Sequence, residues 1–324
     1  MRRYGLIIAG LLFLCLPALA GAQGVLGPLA GSLNPGFLAV VPSVGVGWQR
    51  MGVAFSSDIS FEDRAPGFLE IYPVDLRLTD ANVWIGRAGL ETRTGEGLLV
   101  FFGAEGNAGR NVEVETPLQP ENGVGAETNP AIWVGSHLEW WRLEGGVGYP
   151  VGWGFTVIGA LRVDHLQLSL EDPWPNSPLA GVYPEAYKAD FQAKTWTPYA
   201  ALRLNGSNYR GTVAYGPVSW CDFKLPFRLS QTAFPPPSSE EAQYSLRAGG
   251  YLLEGSLEYD MNVVGVAGLT LWGRASTMKF TGNGELKLSQ NDPLVPPPVV
   301  ANRNADSQYT RYDLALGMSG RLAF

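Results

Sequence analysis

Apolar and polar residues alternate along much of the chain, and the alternation is clearest at its C-terminal end. Over Tyr309–Phe324, the small or charged positions include Arg311, Asp313 and Arg321. The apolar positions between them lie two residues apart, with only Gly320 interrupting: Tyr312, Leu314, Leu316, Met318, Leu322 and Phe324. Successive side chains of a β-strand point to opposite faces. The pattern therefore predicts a strand with one apolar face.

The same pattern, with β-favouring residues and Gly- or Pro-rich breaks, predicts about ten strands. Their expected ranges are Val44–Phe55, Val74–Arg93, Leu98–Gly106, Ile132–Tyr149, Phe155–Leu170, Thr195–Asn205, Tyr209–Ser219, Tyr244–Tyr259, Val263–Phe280 and Tyr309–Phe324. In the fourth strand, neither of the two sets of alternate residues stays apolar throughout, so we expect a register break near Leu138–Trp140.

Long and short gaps alternate between these strands. Five gaps are long and polar or Pro-rich, whereas the turns near Gly97, Gly152, Ser207 and Met261 are short. This alternation is typical of an all-β, transmembrane, antiparallel up-and-down barrel with short periplasmic turns and long extracellular loops. A bilayer favours such closure because every backbone N–H and C=O must be paired.

The N-terminus resembles a secretory signal peptide. Arg2 and Arg3 precede an apolar run over Leu6–Leu19, and small residues at Ala20 and Ala22 offer a cleavage site. No later run is long enough to predict a membrane-spanning helix. We expect three regions: a signal peptide over 1–22, a Gly- and Pro-rich leader over 23–42, and an outer-membrane barrel over 43–324.

Composition agrees with a barrel and argues against nucleic-acid binding. Charged residues make up 16% of the chain, and there are 41 Gly and 10 Trp, which suits turns and interfacial aromatic residues. The formal net charge is −7 and becomes more negative once two signal arginines are removed. This charge argues against the basic surface that binds nucleic acid. Without Cys15, Cys221 is the one remaining cysteine, which excludes an intramolecular disulfide.

Assigning faces strand by strand places arginines and carboxylates together inside the barrel. The candidate lumen network is Arg87, Glu91, Arg142, Glu144, Arg162, Asp164, Arg203, Glu254, Glu258, Arg274, Arg311, Asp313 and Arg321, with Glu105 beside it. Mixed charges in a narrow lumen favour a paired structural network. A charged pore lining is the alternative.

Two features resemble known families. A final strand that ends in Phe324 resembles bacterial outer-membrane barrels, and the second half of the chain resembles the omptins, ten-stranded outer-membrane endoproteases. The omptin likeness rests on the strand-and-loop layout, on the strand Trp196–Leu204 and on the segment Tyr215–Trp220. It implies a ten-stranded barrel.

The omptin catalytic residues do not carry over. The resemblance implies an Asp pair in the second outer loop, where this chain offers Glu113, Glu115 and Glu121 but no Asp. It also implies Asp-x-His in the fourth outer loop, where Asp222 is followed by Phe223 and Lys224. A water-activating pair needs a base in reach. The sequence therefore predicts no catalytic residue.

Only two histidines remain as candidate chemistry. Asp164 and His165 are neighbours on a strand and should point to opposite faces, whereas His137 and Glu139 share a face. Two groups are too few for a closed metal site. We predict no metal and no cofactor.

The function expected from the sequence is that of a non-enzymatic outer-membrane protein with a structural, binding or surface-loop role. The alternatives are a small, porin-like diffusion channel and an altered omptin-like hydrolase. Expected partners are outer-membrane lipid and lipopolysaccharide, and the outer-membrane assembly machinery, which would bind the final strand ending in Phe324. No ligand can be named.

Overall fold

A computed structural model describes residues 37–65, 68–94, 97–107, 110–116, 131–171, 188–231, 238–264, 267–291 and 302–322. Nearly all of these residues are β-strand. The strands are β1 (Phe37–Ala65), β2 (Phe68–Thr94), β3 (Leu99–Asn107), β4 (Arg110–Thr116), β5 (Ala131–Gly152), β6 (Phe155–Glu171), β7 (Lys188–Asn205), β8 (Tyr209–Gln231), β9 (Ser238–Val264), β10 (Ala267–Asn291) and β11 (Asn302–Leu322). No helix in these ranges is long and apolar enough to cross a membrane.

The strands close into one antiparallel barrel. β1 pairs with both β2 and β11, and from β5 to β11 each strand pairs with the next along the chain. β3 and β4 occupy one position in the wall, because both pair with β2 and β5. The barrel wall therefore has ten strand positions, which confirms the predicted fold class.

The first and last strands form a continuous seam. Their register runs from Ser43 opposite Arg321 to Ser57 opposite Ser307 without a shift. Every residue in this stretch therefore has a cross-strand partner, as an edge-free barrel requires.

Most strands are longer than the alternation predicts. β1 begins at Phe37, before the expected barrel start, and β8 continues to Gln231, well beyond the predicted end at Ser219. β9 pairs with these additional residues of β8 as far as Ser238 opposite Gln231. We call the end of the barrel with the short connections the turn end and the opposite end the loop end.

The predicted register break in the fourth strand, β5, is wrong for its pairing with β6, whereas on its other side the register shifts by one residue between Gly106 opposite Trp141 and Arg110 opposite Leu138. β5 pairs with β6 without a shift from His137 opposite Ser169 to Pro150 opposite Thr156. Leu138, Trp140 and Arg142 all face inward and are buried. The parity looks mixed because the inward side chains change from apolar to charged along one strand.

The turn between β5 and β6 is built on a strained backbone. Trp153 has φ +56° and lies between two glycines that also have positive φ, a region that costs a non-glycine residue energy. The side-chain amide and backbone N–H of Asn205 both donate to the carbonyl oxygen of Gly154, at 3.0 and 2.8 Å. These bonds hold the turn against the start of the β7–β8 connection.

Candidate functional site

The charged residues of the lumen form the candidate site. The structure places all thirteen of the predicted network residues on inward faces, together with Glu105. They divide into a deep cluster near the middle of the barrel and a mouth cluster near the turn end.

Arg142 on β5 is the centre of the deep cluster. Its guanidinium is buried, and its Nε donates to Asp164 Oδ1 at 3.0 Å. Its Nη1 lies 3.6 Å from a carboxylate oxygen of Glu105 and 3.6 Å from one of Glu254. A buried charge of this kind is tolerated only because several opposite charges surround it.

Two further arginines bind the same carboxylates. Arg162 pairs with Glu254 and, at 3.7 Å, with Glu144. Arg274 pairs with Glu105 and lies 3.8 Å from Glu254. The carboxylates of Glu105 and Glu254 therefore bridge arginines from different strands and tie opposite walls together.

On the loop side, the deep cluster ends at Arg311 and Asp313. Arg311 Nη2 lies 3.0 Å from Asp313 Oδ2, and the side chain of Gln49 donates to Oδ1 at 2.8 Å. The guanidinium carbons of Arg142 and Arg311 lie 5.3 and 4.9 Å from the ring centre of Trp140. This ring forms the boundary between charged and apolar side chains, with cation–π contacts to both arginines.

The mouth cluster is more exposed. Arg210 Nη2 lies 2.8 Å from Glu258 Oε2, and Arg321 Nη2 lies 3.1 Å from the same oxygen. Arg203 Nη1 lies 3.3 Å from Glu91. Asp260 completes the set, with Arg210 at 3.2 Å and Arg321 at 3.1 Å.

Arg87 joins the two clusters. Its Nε lies 3.6 Å from Glu105 and its Nη2 lies 3.3 Å from Glu258. Among the described residues, the connected buried and half-buried groups are equal in number, eight of each sign. They are Arg87, Arg142, Arg162, Arg203, Arg210, Arg274, Arg311 and Arg321, with Glu91, Glu105, Glu144, Asp164, Glu254, Glu258, Asp260 and Asp313.

An apolar layer lies on the loop side of the deep cluster. The rings of Phe55 and Phe223 stack at 4.2 Å between centres, and Phe191 packs edge-on against Phe223 at 4.5 Å. Tyr309 and Phe280 extend this group at 5.9 Å. All five side chains are buried. We call these five residues the aromatic layer.

A cavity of about 160 Å³ lies on the turn side of the deep cluster. Glu144 and Arg274 are among the groups of the deep cluster that line it, and Glu91 and Arg321 are among those of the mouth. An apolar wall is formed by Phe101, Ile158, Ala201 and Ala214. We call this space the vestibule.

Sequence reasoning missed several members of the network. Arg210 and Asp260 belong to the network but are not among the predicted residues. Gln49 and Tyr199 complete the contacts, since the Tyr199 hydroxyl donates to Glu144 at 3.5 Å. Inward parity identifies Gln49 and Arg210, and also Asp260, which lies two residues from Glu258 on β9 and shares its face.

Apart from Asp164, the groups considered for catalysis lie outside the lumen. His137 and Glu139 face outward, with 3.5 Å between His137 Nε2 and Glu139 Oε1. Asp164 faces the lumen, whereas His165 packs on Trp141 with ring centres 5.3 Å apart. Within the described ranges, no group of three or more potential ligands could hold a metal ion.

Asp222 also faces outward. It lies between buried Cys221 and buried Phe223 on β8, and its register partners are Lys194 and Arg247 on the flanking strands. The outer surface is therefore charged at the level where the interior is aromatic. Glu113 and Glu115 lie on β4, whereas their side chains and the whole of Glu121 lie outside the described residues.

Comparison with solved structures identifies the architecture. The chain is similar to the outer membrane protease OmpT from Escherichia coli, with 10% sequence identity, a TM-score of 0.59, and coverage of 90% of this chain and 100% of that chain. This likeness shows the fold, which is that of bacterial outer-membrane β-barrels with the omptin-like ten-stranded layout. At this identity it says nothing about catalysis.

Two further matches are weaker. The translocator domain of the autotransporter NalP from Neisseria meningitidis is 11% identical over 94% of this chain and 96% of that chain, with a TM-score of 0.40. The toluene transporter TodX from P. putida is 10% identical over 87% and 90%, with a TM-score of 0.33. TM-scores this low do not establish a shared fold. No protein-family model matches the chain, and no curated protein matches it.

Proposed function

We propose that this chain is a non-enzymatic integral protein of the bacterial outer membrane, exported by a cleaved signal peptide, whose barrel is closed to solutes. Its role is structural or binding, and its working surface is the loop end. The observation that carries the proposal is the filling of the lumen at two successive levels, first by the deep charge cluster and then by the aromatic layer.

The outer surface supports a membrane location. Large apolar side chains are exposed on the turn-side part of the wall, including Val213 at 62% and Leu257 at 61%. Such a surface is costly in water and favourable in lipid. The short turns then face the periplasm and the loops face the cell exterior. We infer that lipid and lipopolysaccharide surround this wall.

The assembly machinery is the second inferred partner. β11 carries the alternating apolar row Tyr312, Leu314, Leu316 and Met318, all exposed on the outer wall. A strand with this pattern closes the barrel against β1. Phe324 lies outside the described residues, so its part in recognition stays a prediction.

The diffusion channel is the first alternative. The equal numbers of arginines and carboxylates support a structural network, because each charged group forms an ion pair with a group on another strand. Liposome swelling with small sugars tests this directly. We expect no swelling above that of empty liposomes, whereas a general porin assayed in parallel should give rapid swelling. Sugar flux through the wild-type chain would overturn the closed-barrel proposal.

The altered hydrolase is the second alternative. Outward-facing Asp222 and His137 lie on β8 and β5, which are not neighbours in the wall, so the two do not form an acid–base pair within reach. Incubation with peptide and lipid substrates should give no turnover. Turnover that is lost in Asp222→Asn or His137→Gln would show that the chain is an enzyme.

A further inference from the structure

The vestibule is large enough for a small molecule and is reached from the turn end. Its volume of about 160 Å³ is close to that of engineered cavities, about 150 Å³, that bind benzene. The exposed fraction of the carboxylate side chains increases toward the turn end, from 7% at Glu105 through 17% at Glu258 to 35% at Asp260. Water therefore reaches the vestibule from this end.

The charges that line the vestibule are unequal in number. Arginines and carboxylates balance across the whole network, but the described residues of this lining include five carboxylates and four guanidinium groups. They are Glu91, Glu105, Glu144, Glu254 and Glu258, with Arg87, Arg203, Arg274 and Arg321. The vestibule therefore has one carboxylate more than it has arginines.

Glu144 is the carboxylate of this lining with the fewest cations beside it. Each of the other four lies within 3.8 Å of three arginines. Within the described ranges, Glu144 pairs with one arginine, Arg162, at 3.7 Å, and accepts a hydrogen bond from the Tyr199 hydroxyl at 3.5 Å. A carboxylate with so little compensation in a poorly solvated space is stabilised by a further cation.

One oxygen of Glu144 is available to a ligand. The contacts with Arg162 and Tyr199 are both made to Oε2, whereas Oε1 lies beside Gly103, the cross-strand partner of Glu144 on β3. A Cβ atom added to Gly103 would lie 3.3 Å from Oε1. The glycine therefore leaves room beside this oxygen for a donor group.

Tyr199 connects this carboxylate to the apolar wall of the vestibule. Its side chain packs, together with that of Phe101, against Ile158, Ala201 and Ala214. Burial of a ring or a branched aliphatic group on this wall is favourable, whereas a bare inorganic ion gains nothing from it. The lining therefore favours a cation that carries an apolar body.

We propose that the vestibule binds a small primary ammonium ion, whose N–H donates to Glu144 Oε1 and whose apolar body packs against Phe101 and Ile158. The formal net charge of the chain, −7, attracts such a cation. Because we infer that the turn end faces the periplasm, the natural ligand is a periplasmic amine. Binding itself depends neither on that orientation nor on closure of the lumen by the aromatic layer.

Calorimetric titration of the wild-type barrel, folded in a non-ionic detergent, tests the proposal with benzylammonium as the probe. Benzyl alcohol and benzoate have the same ring but no positive charge, and titration into empty micelles corrects for partitioning. We expect saturable one-site binding of benzylammonium, with an affinity about tenfold or more above that of either comparison compound. No saturable binding, or equal affinity for benzyl alcohol, would overturn the proposal.

Glu144→Gln tests the assigned carboxylate, because it keeps the shape of the side chain and removes its charge. We expect the affinity for benzylammonium to fall about tenfold or more. The matched control is Glu139→Gln, which changes an outward-facing carboxylate of the same strand and should leave the affinity unchanged. An unchanged affinity in Glu144→Gln, or an equal loss in both variants, would contradict the proposed site.

Gly103→Ala gives a second test that keeps every charge and answers the question even if Glu144→Gln fails to fold. The added methyl group crowds Glu144 Oε1 and should weaken benzylammonium binding. The matched control is Gly159→Ala on the outer face, where a Cβ meets no atom of the described residues within 4 Å. Equal affinity in these two variants would count against the site, whereas sugar flux in the swelling assay would overturn only the closed lumen.

Discussion

In the turn-side half of the barrel, charged side chains face the lumen and apolar side chains face outward, whereas the loop-side half has the reverse arrangement. β8 shows both. Near the turn end, Arg210 faces inward and Val213 outward, and further along, Phe223 faces inward while Asp222 faces outward. The difference indicates where lipid ends, because an apolar outer wall is stable only in lipid and an outward carboxylate only near water.

The two halves also fill the lumen through different interactions. The deep cluster depends on mutual compensation of buried charges, so it is sensitive to loss of any one partner. The aromatic layer depends on close packing of apolar surface, so it is sensitive to volume and polarity. Both lie in the same set of strands, and the change occurs over two residues from Trp140 to Arg142.

Reversing polarity within the aromatic layer should have the largest effect. Phe223→Asp removes a ring that contacts Phe55 and Phe191 and buries an unpaired carboxylate. We expect a loss of about 5 kcal/mol or more, seen as failure to form the heat-modifiable folded species on a gel. The matched control is Asp222→Asn on the outer face, which should fold normally. A fully folded Phe223→Asp variant would contradict the inverted polarity of this half.

Removing the centre of the deep cluster should have the next largest effect. Arg142→Ala leaves Asp164, Glu105 and Glu254 without their shared cation, which should cost about 3–5 kcal/mol. Urea unfolding of the barrel in liposomes measures the loss. Arg247→Ala, an exposed arginine of the outer face, should change stability by about 0.5 kcal/mol or less. Equal losses in the two variants would argue against a buried network.

Added charge on the outer wall should locate the boundary between the halves. Leu257→Arg places a cation on the apolar turn-side wall and should cost about 2–4 kcal/mol. Thr281→Arg, also exposed but on the loop side, should cost about 0–1 kcal/mol. The same urea assay compares them, and a smaller loss for Leu257→Arg would place the lipid boundary elsewhere.

Cutting the link between the two charge clusters should have the smallest effect. Arg87→Gln removes the contacts to Glu105 and Glu258, but the side chain is partly exposed and the remaining pairs persist. We expect a loss of about 1 kcal/mol, with Arg93→Gln at the exposed mouth as the control. A loss as large as that of Arg142→Ala would mean that the clusters are one cooperative unit.

The sequence predicted the turn-side half well and the loop-side half poorly, for one physical reason. Assigning faces assumes that apolar side chains point to lipid and charged ones to the lumen. That holds for Val157 and Arg162, which face as expected, but it fails for Leu138 and Trp140, which are apolar and face inward. The register break expected in β5, which its pairing with β6 lacks, and the early predicted end of β8 both follow from this assumption.

The contacts of the network were beyond prediction from parity alone. Alternation gives the face of Arg142 but not which carboxylates surround it, because those come from β3, β6 and β9 and depend on barrel closure and register. The vestibule likewise arises from residues of many strands. Trp272, which is buried in the lumen with its ring 5.3 Å from Arg87, likewise gains its partner only through barrel closure.

The central claim is that the lumen is closed by the deep cluster and the aromatic layer together. Single-channel recording of the purified wild-type barrel in a planar bilayer tests it most directly, with a variant carrying both Phe223→Ala and Phe191→Ala as the comparison. We predict no conductance steps for the wild type and brief openings for the variant if it inserts. Stable conductance steps from the wild type would contradict the account.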